Sequence, residues 1–238
     1  MKTICIIPAR GGSKGLKKKN LQLLGGKPLI YYPINSAIKS GVCDDIFVST
    51  DDNEIAETAK KYGAVVPYLR PKKYSKDFTT TEETLKQALL SYESYTNQKF
   101  DICVFLTCTN IFRKVSWIIE AVETLKNNKN IDSAFSVHQL YKHFWHYKKN
   151  KLLKVLPWMN NYTSRQVAPK LFREDTGLAS ASRSKFWRKG KRIGPNVHII
   201  PNDDSLTGID IHGLEDLDLA NAVFNSLKKN KRLSEYSL

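Results

Sequence analysis

Residues 4–7 read Ile-Cys-Ile-Ile with no polar interruption, and a basic glycine-rich loop, Arg10-Gly11-Gly12-Ser13-Lys14-Gly15, opens just beyond Pro8 and Ala9. An unbroken apolar run of this length suits a strand covered on both faces, and such strands belong to parallel sheets sandwiched between helices. The loop is the first strand-to-helix connection, so the pattern predicts a strand over 3–9 followed by a loop able to hold a ligand at the strand's carboxyl end.

The same rhythm repeats downstream. A helix is expected over 28–40, with Pro28 tolerated in its first turn and Gly41 ending it. A second strand follows over 45–49. Asp51 and Glu54 offer a capping box for a helix running to Lys61, stopped by Gly63. A short third strand is expected over 64–68. Thr80 and Glu83 offer another box, ahead of the helical face Leu85, Ala88, Leu89, Tyr92. A strand over 101–106, a helix over 115–126 and a strand over 133–137 continue the series. Strand-then-helix units at this spacing predict an α/β fold with a doubly wound, mostly parallel sheet.

Between 138 and 170 the rhythm lapses into an aromatic and basic stretch that includes His143-Phe144-Trp145-His146-Tyr147-Lys148. This is expected to be a small antiparallel excursion used for contact with a second subunit, because Trp and Tyr suit interfaces. The chain then returns over 171–182, adds a strand over 196–200 and ends on a helix over 214–227. One domain over 1–238 with an inserted element at 138–170 fits a chain of 238 residues.

Composition excludes several classes. Gly 12 and Pro 9 are too few for a fibrous or low-complexity chain. No apolar run approaches the roughly 20 residues of a membrane span, and the early Pro8 and Arg10 argue against a signal peptide. Cys5, Cys43, Cys103 and Cys108 lack metal-ligand spacing and read as reduced packing thiols of a cytoplasmic protein. The formal charge of +15 calls for an anionic partner. A nucleic-acid module would explain the charge but not a glycine loop after the first strand, so neither nucleic acid nor membrane is the expected partner.

The loop itself narrows the anion. Its three glycines permit tight turns that expose backbone N–H groups, while Arg10, Lys14 and Lys19 add charge around the same hollow, as a triphosphate requires. Neither the Gly-Lys-Ser/Thr ending of a Walker loop nor the Gly-x-Gly-x-x-Gly dinucleotide spacing is present.

Ile7-Pro8-Ala9-Arg10-Gly11-Gly12-Ser13-Lys14-Gly15, with Lys19-Asn20, resembles the signature of the cytidylyltransferases that activate acylneuraminates and related nonulosonic acids. Ser49-Thr50-Asp51-Asp52, Arg70-Pro71, Arg113, Arg165-Gln166, Asp175-Thr176-Gly177, Asp210 and Glu215-Asp216-Leu217 fit the same family in order. The resemblance implies a nucleotide-diphospho-sugar-transferase-like fold, and the aromatic 138–170 excursion a homodimer. It implies transfer of CMP from CTP to the anomeric hydroxyl of an acidic nine-carbon sugar, with pyrophosphate released and no covalent enzyme intermediate. By analogy Arg10 and Lys19 contact phosphates and Asp210 acts with them in catalysis. Asn20 and Arg70 hold the cytidine, with Ala9, Gly11, Gly12 and Ser13 completing the nucleotide site. Thr107, Lys142, Arg165 and Gln166 fall at sugar-binding positions, Lys142 and Arg165 as partners for the sugar carboxylate.

Two departures stand out. The family's Asp-Ile-Asp after the last strand reads Asp210-Ile211-His212 here. In extended chain residues 210 and 212 point to one side, so Asp210 with phosphate oxygens and water suits Mg2+, and a ligating His212 would tilt preference toward Mn2+. His212 also fits a phosphate or sugar contact, a base, or no catalytic role. Where the family commonly reads Leu-Gln-Pro-Thr-Ser-Pro-Leu-Arg, this chain has Leu106-Thr107-Cys108-Thr109-Asn110-Ile111-Phe112-Arg113. A threonine in place of the sugar-facing amide removes two donors and an acceptor and leaves room, so legionaminate, pseudaminate or another modified nonulosonate is expected at least as much as the sialic type, N-acetylneuraminate. Other readings stay open: a transferase for the eight-carbon acid Kdo, or an inactive nucleotide-binding homologue.

Overall fold

The computed structural model describes residues 1–238 apart from Thr163, Arg165 and Ser237. In chain order the strands are β1 (Thr3–Pro8), β2 (Leu23–Leu24), β3 (Lys27–Pro28), β4 (Asp45–Ser49), β5 (Ile102–Phe105), β6 (Ser133–Leu140), β7 (Trp145–Lys148), β8 (Lys151–Lys154), β9 (Leu171–Glu174), β10 (Ser180–Arg183) and β11 (Val197–Asn202). The helices are α1 (Tyr31–Ser40), α2 (Asn53–Lys61), α3 (Thr81–Thr96), α4 (Val115–Asn127), α5 (Ser184–Arg188) and α6 (Leu214–Lys229).

The apolar run places β1 inside the sheet, where Ile4, Cys5, Ile6 and Ile7 are fully buried. Alternate side chains leave by opposite faces. Cys5 and Ile7 join a core with residues of α1, α2, α4 and α6, whereas Ile4 and Ile6 pack with Leu85, Leu89 and Tyr92 of α3 and Trp187 of α5. Helices on both faces are the doubly wound arrangement that the rhythm predicts. The strand order is β11-β6-β10-β5-β1-β4. β4 and β5 flank β1 in parallel, with Ile6 opposite both Phe47 and Phe105. β10 alone along that order runs antiparallel, between β5 and β6. β9 extends the same antiparallel track along the second half of β6, pairing Val137 with Glu174.

Several boundaries differ from expectation for local reasons. The helix expected over 28–40 starts at Tyr31, because Pro28 closes the β2–β3 hairpin opposite Leu23. Gly41 ends it in the left-handed region, φ 65°. The cap of α2 is Asp52, whose Oδ1 accepts from the Ile55 N–H at 3.0 Å, and not Asp51. The strand expected over 64–68 reduces to one parallel bridge between Phe47 and Val65, since Pro67 has no N–H to extend the ladder. The box at Thr80 and Glu83 forms on both sides.

Within the 138–170 excursion, β7 and β8 form an antiparallel hairpin. Lys149 and Asn150 both take positive φ, 48° and 61°, the geometry of a tight hairpin turn. Trp145 and Tyr147 stand exposed on it. Among the described residues no helix is long and apolar enough to cross a membrane.

Candidate functional site

β1, β4 and β5 are parallel, so the segments leaving their carboxyl ends converge on one edge of the sheet. The loop after β1 is tied down there by its neighbours. Ala9 donates its N–H to the Ser49 carbonyl at 2.9 Å, and Gly11 donates to Asp51 Oδ1 at 3.0 Å. Buried Asn20 donates from Nδ2 to the Arg10 carbonyl at 2.9 Å, closing the loop on itself. Gly11 has no room for a side chain, because a Cβ would lie 2.7 Å from Asp52 Oδ2. Arg70 is almost wholly buried, and its Nη2 lies 3.9 Å from the same Asp51. Its Nε donates to Ser75 Oγ at 3.0 Å. Burial lowers the Arg70 pKa, and Asp51 works against that. Ala9, Arg10, Gly11, Asn20 and Arg70, singled out from sequence, thus lie together.

Two hollows meet at Arg10. One, about 290 Å³, is lined by Arg70, Tyr74, Ser75, Thr79, Thr81 and Phe105 among others. The second, about 200 Å³, is lined by Ser13, Lys19, Asn20, Cys108 and Thr109. Pro8, Arg10 and Thr107 line both, so the two form a continuous groove along the sheet edge. Gly12 faces open space, with nothing within 4 Å of where a Cβ would stand. Burial pushes the Cys108 thiol up to about 12, which removes it as a nucleophile near neutrality. Arg10 Nη1 lies 3.0 Å from Asp77 Oδ1 and Lys14 Nζ lies 2.7 Å from Asp77 Oδ2.

Asp210 and His212 line neither hollow, and the segment that carries them is joined to the loop through Lys19 and Gly15. Lys19 Nζ donates to the Ile211 carbonyl at 3.1 Å. Burial lowers the Lys19 pKa, while the charge of Asp210 raises it. The Gly15 backbone sits directly against residue 212, where a Cβ would come within 2.4 Å of the His212 carbonyl oxygen. His212 Nε2 is 3.5 Å from Asp210 Oδ2, so the two side chains share a side as the spacing predicts. Asp210 Oδ1 is buried with no hydrogen-bond partner among the described residues. The approach to α6 is capped by Asp216, which accepts from the N–H groups of His212 at 2.8 Å and Gly213 at 2.9 Å. Asp210 is therefore not that cap. A lone buried carboxylate oxygen beside a phosphate-type loop fits Mg2+, which takes oxygen ligands and keeps several waters. No cluster of three or more His, Cys, Asp or Glu suited to a metal occurs among the described residues.

After β5, Thr107 is drawn into the turn rather than left free: its N–H donates to the Gly177 carbonyl at 3.0 Å and its hydroxyl to Asn110 Oδ1 at 2.7 Å. Arg113, fully buried beneath, donates from Nη2 to the carbonyls of Thr107 and Asn110, both at 2.6 Å. Burial pulls its pKa down to about 10. Lys142 and Gln166 are exposed and do not line either hollow, and Arg165 lies outside the described residues. Sequence reasoning missed Asp77 and Arg173. Arg173 binds Asp175 through two bonds of 2.9 and 3.0 Å and lies within the field of Asp210. Neither carries a local motif; Asp77 is one acidic residue in a lysine-rich stretch.

Residues 4–224 match the cytidylyltransferase family. The chain is 30% identical over 231 residues to the pseudaminic acid cytidylyltransferase of Campylobacter jejuni subsp. jejuni, covering 94% of this chain and 97% of that protein. It is 41% identical over 126 residues to the CMP-N,N′-diacetyllegionaminic acid synthase of Legionella pneumophila subsp. pneumophila, 53% of this chain and 54% of that one. Among solved structures, a CMP:2-keto-3-deoxy-manno-octonic acid synthetase complexed with CTP aligns with a TM-score of 0.71 over 95% of this chain and 99% of that chain. At 14% identity that likeness is one of fold. With a family match across nearly the whole chain and the loop, Asn20 and Arg70 gathered on one groove, the chain belongs to the cytidylyltransferase family, among the nonulosonic acid enzymes.

Proposed function

We propose that the protein transfers CMP from CTP to the anomeric hydroxyl of an acidic nine-carbon sugar. The observation that carries this reading is the groove of two hollows that share Arg10, with Lys19 lining the smaller one and Asp210 acting on Lys19 through its charge. In the reaction the sugar oxygen bonds to the α-phosphorus, the α–β phosphoanhydride bond breaks and pyrophosphate leaves with that electron pair. The hydroxyl proton passes to water or to a base on the sugar side. Arg10, Lys19 and the loop N–H groups neutralise the phosphates and hold them in line. Arg70, in the larger hollow that Ser75 and Thr79 help to line, and Asn20, at the edge of the smaller one, hold the nucleoside end. Asp210, with His212 beside it, would hold Mg2+, or Mn2+, which supplies further charge neutralisation on the phosphates.

The sugar is of the pseudaminate or legionaminate type rather than N-acetylneuraminate. Thr107 offers one hydroxyl, and that hydroxyl is already committed to Asn110. Lys142, Arg165 and Gln166 remain the proposed partners of the sugar, its carboxylate included. With CTP as substrate, the enzyme works in the cytoplasm.

Pyrophosphate release, measured for CTP, UTP, ATP and GTP with each candidate acid, tests the reading. CTP should bind at least about tenfold tighter than GTP, a difference of ~1.4 kcal/mol. Equal binding of GTP with turnover overturns it. We further propose a homodimer that covers Trp145 and Tyr147, whose exposure is 51% and 79% in the isolated chain. Light scattering should then report roughly twice the 27.2 kDa chain mass. A monomer that stays fully active on dilution would rule it out.

A further inference from the structure

We propose that Asp77 is a displaceable counter-ion that occupies the cations of the phosphate loop until a polyphosphate takes its place, and that returns to them as pyrophosphate leaves. The proposal rests on the reading of the groove as a CTP site. One carboxylate uses both oxygens, Oδ1 on Arg10 at 3.0 Å and Oδ2 on Lys14 at 2.7 Å. Arg10 and Lys14 belong to the loop after β1, whereas Asp77 sits 67 residues from Arg10 in the segment between Arg70 and α3. That segment also lines the larger hollow, through Tyr74, Ser75 and Thr79. A carboxylate spanning two cations this way presents the same oxygens that a terminal phosphate would present.

The chemistry forces a choice when a polyphosphate arrives. If Asp77 stays, its charge opposes the incoming anion and it keeps hold of two donors that the anion needs. If it leaves, the loop exchanges one negative charge for several. Asp77 is exposed at the groove, so leaving strands no buried charge: its side chain is 39% accessible and Lys14 is 78% accessible. Arg70 anchors the start of the segment through Ser75 and Thr50, and its end is held by the Thr79 N–H on the Lys76 carbonyl at 3.1 Å, while the Asp77 carboxylate itself is held by Arg10 and Lys14. Asp77 therefore competes with substrate on the way in, and competes equally with pyrophosphate on the way out. The same contact that weakens binding hastens product release.

An orienting role for Asp77, in which it merely holds Arg10 ready, predicts the opposite sign, and this is what the experiment reads. Calorimetric titration of wild type and Asp77→Asn with CTP, CMP and inorganic pyrophosphate at low and high salt is sufficient. Asp77→Asn should bind CTP and pyrophosphate about threefold to tenfold tighter at low salt, as expected for two exposed ion pairs. The gain should shrink at high salt, and it should shrink in a Lys14→Gln background. CMP, which lacks the terminal phosphates, should gain little, and pyrophosphate should inhibit turnover more strongly. Equal or weaker binding of CTP and pyrophosphate by Asp77→Asn overturns the proposal. So does a gain for CMP as large as that for CTP, which would mark a general charge effect. A wild-type chain that binds neither CTP nor pyrophosphate sinks the CTP reading itself, whereas one that binds both without the expected change in Asp77→Asn sinks only this inference.

Discussion

Asp210→Asn is expected to fold as the parent chain does and to lose at least about 100-fold in kcat at ordinary Mg2+, equivalent to ~2.7 kcal/mol of transition-state stabilisation. The substitution keeps the shape of the side chain and removes its charge. Its structural cost should be small, because the backbone before α6 is capped by Asp216 and Asp210 Oδ1 has no hydrogen-bond partner among the described residues. A buried acceptor without a donor is costly unless a cation or water satisfies it. An amide cannot replace the carboxylate in that role, since Mg2+ favours charged oxygen ligands. His212→Asp, by contrast, should keep activity while reducing tolerance of Mn2+ relative to Mg2+. A kcat measured for Asp210→Asn across a Mg2+ titration decides the matter. Full activity would remove Asp210 from the mechanism.

Arg10→Ala should be comparably damaging, with a fall in kcat of about 100-fold or more and a smaller change in apparent CTP affinity. Arg10 lines both hollows, and in the proposed reaction it stands where the bond to the leaving group would break. Negative charge grows on the pyrophosphate side as that bond lengthens, so a guanidinium there gains interaction energy in the transition state that it lacks with bound CTP. Displacement of Asp77 on nucleotide binding would itself blunt the ground-state effect, because the Arg10–Asp77 contact of 3.0 Å is given up to make the new one. Steady-state kinetics with varied CTP separate the two parameters. An unchanged kcat with a raised KM would reduce Arg10 to a binding residue.

Much of the sheet was legible in the sequence, because buried parallel strands announce themselves as runs such as 4–7 and their helices as capping pairs such as Thr80 and Glu83. β10 was less so. Ser180-Ala181-Ser182 is all small residues, with neither an apolar run nor an alternation to mark it or its reversed direction. Adjacent Asp51 and Asp52 look alike to a capping rule, and only the folded chain sends one to the helix and the other to the phosphate loop. In the site, residues inside a contiguous motif, Arg10, Gly11 and Asn20, were readable, as was Arg70 from its Arg-Pro pair. Asp77 and Arg173 act through contacts formed by tertiary placement, which no local spacing encodes.

Arg113 has a consequence for how such an enzyme diversifies. It secures the turn after β5 from below by gripping main-chain oxygens, those of Thr107, Asn110 and, at 3.2 Å, Gly177. Main-chain oxygens are present whatever residue occupies a position. The side chains on the upper surface of that turn can therefore be exchanged while its frame stays clamped. A lineage can retune the shape and polarity of this edge of the groove one residue at a time, and the clamp absorbs the structural risk of each step.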